Sequence, residues 1–118
     1  MRAIAFAAVL TAVIACQSST APTVAANVTI AEYSFTADTV TIAAGEAVRW
    51  ANAGTVAHTV TSDSGAFASG QLAQPGMDPY GGMTAGATYE RSFAKAGRFP
   101  YHCSNHPTLM KGLVIVTP

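Results

Sequence analysis

From residue 27 onward, apolar and polar residues alternate in short runs separated by turn residues. The run VTIAEYSFT has a break in this alternation at residues 31–32, and TVTIAAGEAVRWAN alternates on both sides of the turn sequence AAGE, with Val48 and Trp50 facing inward. The runs AHTVTS, ATYERSFA, GRFPYHC and GLVIVTP are also β-rich. A period of two is that of a half-buried strand, and no apolar pattern of helical period persists for the length of a helix. The pattern therefore predicts an all-β domain with a core that includes Trp50 and Phe93.

A segment rich in Gly, Pro, Ser and Ala interrupts the strands between residues 64 and 86. It is long for a loop in a small domain, so we expect it to contain a short strand or turn. The segment also carries two methionines. Neither has the spacing of a metal ligand, and both are interpreted as structural, with Met83 at a core position and Met77 in the loop.

Residues 1–16 have the composition of a secretory signal peptide, with Arg2 as the positive start and an uncharged apolar run behind it. That run is too short to cross a bilayer, which takes about 20 residues. Its end, VIAC, resembles the lipobox of bacterial lipoproteins, which favours membrane anchoring through lipidated Cys16. The alternative is an ordinary signal peptide cleaved nearby, with Cys16 lost. Residues 17–26 are expected to form a flexible tether, and residues 27–118 the folded domain.

Both alternatives place the mature protein in the bacterial cell envelope, as a periplasmic protein or a membrane-anchored lipoprotein. Because Cys16 belongs to the processing site, Cys103 remains as a lone thiol in an oxidising compartment, and metal ligation is one reason for it to survive there. Without Arg2 the chain has five basic and six acidic residues, a net charge of about −1. This balance argues against nucleic-acid binding, which needs concentrated positive charge.

The candidate chemistry is concentrated in residues 101–112, YHCSNHPTLMKG. The pattern Cys-x2-His-x3-Met places Cys103, His106 and Met110 on one short loop between two strands. A fourth candidate, His58, comes 45 residues before the cysteine. Thiolate and thioether suit Cu(I) and imidazole suits Cu(II), so a site with both kinds of ligand serves both oxidation states without rearrangement. Two histidines and a cysteine with a distant axial methionine form the blue-copper arrangement.

These segments resemble the cupredoxins, the small blue copper proteins that include plastocyanin, amicyanin, pseudoazurin and azurin. The resemblance covers nearly all of residues 27–118 and is carried by AAGEAVRWANAGTVAH, TAGATYERSF and FPYHCSNHPTLMKGLVIV. It implies a two-sheet Greek-key β-sandwich with one type 1 copper site. The implied strong ligands are His58, Cys103 and His106, and Met110 is the implied weak axial ligand. We expect the protein to be a monomer.

Two neighbours of the candidate ligands bear on this assignment. In most cupredoxins an Asn follows the first His and joins the two ligand segments through hydrogen bonds. This chain has Thr59 instead, and its hydroxyl is expected to do the same with a shorter reach. His102 is adjacent to Cys103, but side chains alternate along a strand, so His102 is expected to face away from the site and not to bind the metal.

The candidate residues are compatible with three kinds of function. The leading one is an electron carrier, not an enzyme, whose copper cycles between Cu(I) and Cu(II). Redox partner proteins are expected to dock transiently near His106, within an apolar ring of Pro107, Leu109 and Ala57. The alternative is a copper-binding module for storage, delivery or sensing without redox turnover. A thiol nucleophile is disfavoured, because no Asn or Asp orienter is evident and Met110 would have no role. Zinc fits the site chemically, but a methionine would add little to it.

Overall fold

The computed structural model describes residues 21–118, which form ten β-strands. In chain order these are β1 Val24–Ala31, β2 Ser34–Thr36, β3 Thr39–Ala43, β4 Ala47–Asn52, β5 Thr61–Ser62, β6 Gly76–Met77, β7 Met83–Thr84, β8 Thr88–Ser92, β9 Gly97–His102 and β10 Lys111–Thr117. The all-β prediction is confirmed. Within this part of the chain, no helix is long and apolar enough to cross a membrane.

The N-terminal boundary differs from the expected one. The expected signal peptide, its Cys16 and residues 17–20 of the expected tether lie outside the described residues. Strand β1 begins at Val24 and pairs there with Ala47 of β4. Residues 24–26, which composition alone assigned to the tether, therefore belong to the folded domain, because the sheet supplies hydrogen bonds that composition does not reveal.

Eight of the described strands form two four-stranded sheets, with the orders β2-β1-β4-β8 and β3-β10-β9-β5. The pairs β1–β4 and β3–β10 are parallel, and the other neighbours in these sheets are antiparallel. Strands β3 and β4 are consecutive in the chain but lie in different sheets. The predicted turn between them passes from one sheet to the other, and Gly45 adopts a φ of 91° there, a conformation that glycine tolerates without steric cost.

The break in alternation at residues 31–32 is a reversal of the chain. Strand β1 pairs antiparallel with β2, with Ala31 opposite Ser34, so Glu32 and Tyr33 form the turn between them. Tyr33 has a φ of 63°, in the left-handed region that few residues with a side chain occupy. The sequence predicted a register break, whereas the structure has two paired strands joined by a tight turn.

The core lies between the two sheets and is centred on aromatic side chains. Trp50 and Phe93 are buried, as predicted. The rings of Trp50 and Phe35 pack edge-to-face against the Tyr101 ring, with 5.5 and 4.8 Å between ring centroids. Burial raises the pKa of the Tyr101 phenol to about 12. A Cβ atom at Gly112 would collide with the Tyr101 ring, so glycine lets β10 pass directly over the phenol.

Strands β6 and β7 form a separate hairpin. The short strand expected within residues 64–86 is thereby confirmed. Met77 lies directly opposite Met83, and these residues are 72% and 76% exposed. The expectation that Met83 fills a core position was wrong, because the hairpin joins neither of the two large sheets formed by residues 21–118 and Met83 stays exposed there.

Candidate metal centre

His58 lies in the connection between β4 and β5 and is fully buried. Its backbone N–H donates to the Leu72 carbonyl at 3.2 Å, and its carbonyl accepts from the Leu72 N–H at 2.8 Å. Asn52, at the end of β4, donates from Nδ2 to the carbonyls of Val56 and Leu72, both at 2.9 Å. The Asn52 Oδ1 accepts the Gly54 N–H at 2.9 Å. These bonds satisfy backbone groups of the loop and hold His58 in place from both sides.

The other three candidates lie in the connection between β9 and β10. Cys103 directly follows β9 and Met110 directly precedes β10. Four backbone hydrogen bonds close this loop on itself: Cys103 N–H to Met110 O at 3.1 Å, His106 N–H to Cys103 O at 3.1 Å, and the N–H groups of Leu109 and Met110 to His106 O at 3.2 and 3.0 Å. Cys103 and Met110 are buried, and His106 is partly exposed. The spacing of these side chains is therefore set by the loop itself.

The donor atoms of the two connections converge. The Cys103 Sγ lies 3.7 Å from the His58 Nδ1 and 3.9 Å from the His106 Nδ1, and the potential ligand atoms of all three lie within 4.8 Å of one another. A metal ion bound by imidazole nitrogen at about 2.0 Å and by thiolate at about 2.3 Å, with about 120° between them, separates these donors by about 3.7 Å. The three donors are thus spaced to bind one ion. Two imidazoles and a thiolate, with a buried thioether at the end of the same loop, suit copper.

Thr59 joins the two connections. Its hydroxyl accepts the Ser104 N–H at 2.7 Å and lies 3.0 Å from the Ser104 hydroxyl. Its own backbone N–H donates to the Cys103 Sγ at 3.4 Å. The expected role of the Thr59 hydroxyl is confirmed, because it reaches the loop that carries Cys103 although it is shorter than an Asn side chain.

Thr59→Val is expected to lower the free energy of unfolding by about 1 kcal/mol, because a methyl group replaces the hydroxyl that accepts the Ser104 N–H. In a domain of this size, each kcal/mol lowers Tm by about 4–8 °C in calorimetry. Thr59→Ser keeps the hydroxyl and serves as the matched control. An equal Tm for Thr59→Val and the parent protein would mean that this hydroxyl does not hold the connections together.

A second tie between the two connections is made by Asn105, whose side chain also pairs with Gln71 in the connection between β5 and β6. Asn105 and Gln71 exchange hydrogen bonds of 3.0 and 2.9 Å, and the Asn105 Nδ2 also donates to the Ala57 carbonyl at 3.0 Å.

His102 lies outside the cluster of candidate ligands. Its Nδ1 lies 2.6 Å from the Asp63 Oδ1, which confirms that it faces away from the candidate ligands.

Among the four candidate ligands, His106 alone has an exposed surface. Of the predicted apolar ring, Pro107 and Leu109 are exposed and Ala57 is partly exposed. The ring of Tyr33 packs edge-on against the His106 ring, with 5.0 Å between centroids, and Tyr33 is 57% exposed. Tyr33 was not predicted here, since only the turn between β1 and β2 brings it to this end of the sandwich.

Comparisons with known proteins identify a family of copper-binding proteins and a shared fold. The model of a family described as copper binding proteins, plastocyanin/azurin family, matches residues 22–117. Amicyanin-alpha of Methylorubrum extorquens is 36% identical over 128 residues, which cover 98% of this chain and 99% of that protein. The crystal structure of amicyanin from Paracoccus versutus matches with a TM-score of 0.58 and 30% identity. The match covers 84% of this chain and 87% of the amicyanin chain. A purple cupredoxin from Nitrosopumilus maritimus has a TM-score of 0.64 and 26% identity, with coverages of 78% and 99%.

Proposed function

Because the chain belongs to the plastocyanin/azurin family of copper-binding proteins, we propose that it is a type 1 (blue) copper protein that transfers single electrons between redox partners. The observation that carries this proposal is the convergence of one thiolate and two imidazoles from two hydrogen-bonded connections. Copper, when bound, supplies the one-electron couple between Cu(I) and Cu(II).

The proposed strong ligands are the His58 Nδ1, the Cys103 Sγ and the His106 Nδ1, with Met110 as the weak axial ligand. The backbone bonds of both connections hold these donors at their present spacing. Rigid placement keeps the ligand set the same in both oxidation states, which is the requirement for fast one-electron transfer. A mixed set of soft sulfur and imidazole donors suits both states.

We further propose that electrons enter and leave through His106, because the other three candidate ligands are buried. The exposed side chains of Tyr33, Pro107 and Leu109 offer a partner an apolar surface at this ring. Without Arg2 the chain has a net charge of only about −1, so long-range attraction contributes little to docking. A small apolar contact suits a partner that must bind, exchange an electron and leave.

A titration of the metal-free protein with Cu(II) tests the proposed site. The expected result is an intense blue absorption, from charge transfer between thiolate and copper, that saturates at one equivalent. A Cu(I) chelator then separates two functions of the same site. An electron carrier keeps its copper against the chelator, whereas a storage or delivery protein releases it readily.

Met110→Leu is expected to keep the blue colour and to raise the reduction potential. The removal of a weak axial donor disfavours Cu(II) more than Cu(I), and the axial ligand tunes the potential of such sites. Leucine nearly conserves the volume of this buried side chain, so the loss of stability stays below about 1.5 kcal/mol. Voltammetry of the two proteins measures the shift, and an unchanged potential would show that Met110 does not interact with the metal.

We also propose that the protein is exported to the cell envelope, acts as a monomer and is anchored through lipidated Cys16. The composition of residues 1–16 and the sequence VIAC support this placement. Cell fractionation with mass analysis of the mature N-terminus distinguishes a lipoprotein from a free periplasmic protein. Size-exclusion chromatography of the domain tests the monomer.

A further inference from the structure

Within residues 21–118, the second ring nitrogen of His58 has no hydrogen-bond partner. The Nδ1 faces the Cys103 Sγ at 3.7 Å, whereas the Nε2 is buried and has no hydrogen bond. A buried N–H without an acceptor is costly, so such a group calls for a partner. The Oε1 of Glu32 lies 3.7 Å from this nitrogen. A shift of about 0.7 Å would bring the two atoms to hydrogen-bond distance.

The Glu32 carboxylate sits in a built recess beside the ring. Its Oε1 accepts the backbone N–H of Thr55 in a short hydrogen bond and the Thr55 hydroxyl at 3.1 Å. A Cβ atom at Gly54 would collide with the same oxygen, so only glycine at this position leaves room for the carboxylate. The hydrogen bonds from Thr55 and the absence of a side chain at Gly54 together hold the carboxylate against the unpartnered nitrogen.

We propose that Glu32 is a positioning residue for the copper site: its carboxylate accepts the Nε2–H of His58 and thereby fixes the tautomer and the orientation of the ring. With the proton held on Nε2, the Nδ1 is free to bind the metal beside Cys103. A carboxylate acceptor also makes the ligating nitrogen a stronger donor, which favours Cu(II) over Cu(I). This inference rests on the proposed function, since it assigns a role at the same site.

Three variants separate the parts of this interaction. Glu32→Leu removes the acceptor, and Glu32→Gln keeps an acceptor but removes the charge. Gly54→Ala displaces the carboxylate without changing it, and Gly54 has no positive φ that alanine would strain. Glu90→Gln is the matched control, because the Glu90 carboxylate is exposed and pairs with Arg49. Thermal unfolding of each metal-free variant identifies those that fold.

The readouts are the dissociation constant for Cu(II), the reduction potential, and the ¹⁵N shifts of the His58 ring in the metal-free and Cu(I) proteins. Glu32→Leu and Gly54→Ala are expected to weaken Cu(II) binding about 10- to 100-fold, to raise the potential, and to move the Nε2–H resonance. Glu32→Gln is expected to raise the potential with a smaller loss of affinity. The control should match the parent protein in all three.

An unmoved Nε2 resonance together with an unchanged dissociation constant in Glu32→Leu or Gly54→Ala, in a folded protein, would overturn the inference. The metal-free ¹⁵N measurement keeps the test independent of the proposed function. If the parent protein binds no copper, the proposed function fails, but the His58 tautomer and its response to Glu32→Leu are still measured. If the parent protein turns blue and the Glu32 variants behave as it does, only the positioning role fails.

Discussion

Cys103→Ser is expected to abolish the visible absorption of the Cu(II) protein completely. The blue colour requires a thiolate bound to copper, and the hydroxyl of serine is neither soft nor readily ionised. The Cys103 Sγ lies close to the Nδ1 atoms of both His58 and His106. The substitution therefore also removes the one candidate ligand that is adjacent to both imidazoles. Absorption and electron paramagnetic resonance after addition of Cu(II) measure the change, with binding to Cu(I) expected to weaken as well.

The adjacent histidine supplies the control for this experiment. His102 precedes Cys103 in the chain but contacts Asp63 on the other face of the strand. His102→Ala should therefore keep the blue absorption at full intensity. Retention of the band by Cys103→Ser, or its loss in His102→Ala, would contradict the assignment of Cys103 as the sulfur ligand.

Gly86→Ala is expected to destabilise the protein by about 3 kcal/mol, the upper part of the usual range for overpacking. A Cβ atom at residue 86 would overlap the backbone carbonyl oxygen of Asn52, which cannot rotate away as a side chain can. Asn52 also anchors the loop that carries His58, so copper binding should weaken together with stability. Chemical denaturation and a Cu(II) titration measure the two effects.

Gly76→Ala is the matched substitution in the same segment. Its Cβ atom would lie 3.3 Å from the Thr84 Oγ1, a side-chain atom at the surface hairpin that can move. The expected loss of stability is below about 1 kcal/mol. Equal unfolding midpoints for Gly86→Ala and Gly76→Ala would show that the close approach of residue 86 to β4 does not constrain the fold.

Local spacing was sufficient to predict that three of the four candidate ligands lie on one loop. Cys103, His106 and Met110 share one loop, and the hydrogen bonds that close it connect residues only a few positions apart. His58 comes from the other connection, and its place in the site was implied by the resemblance to cupredoxins. Strand alternation correctly sent His102 away from the cluster, because the direction of a side chain in a strand is a local property.

The features that the sequence did not predict depend on the relative placement of elements. Glu32 and Tyr33 lie at a break in alternation, which has the same appearance whether a strand bulges or the chain reverses. Their approach to His58 and His106 follows from the pairing of β1 with β4. The exposure of Met83 could not be predicted either, since an apolar residue beside a turn faces the core only if a sheet covers it.

The most direct test of a preformed copper site is X-ray absorption at the copper edge, measured on the oxidised and the reduced protein. Donors held at fixed spacing by hydrogen-bonded connections predict one short sulfur and two nitrogen neighbours in both states, with bond lengths that barely change. The loss of an imidazole or of the thiolate on reduction, or a shell of nitrogen and oxygen alone, would contradict a preformed site for electron transfer.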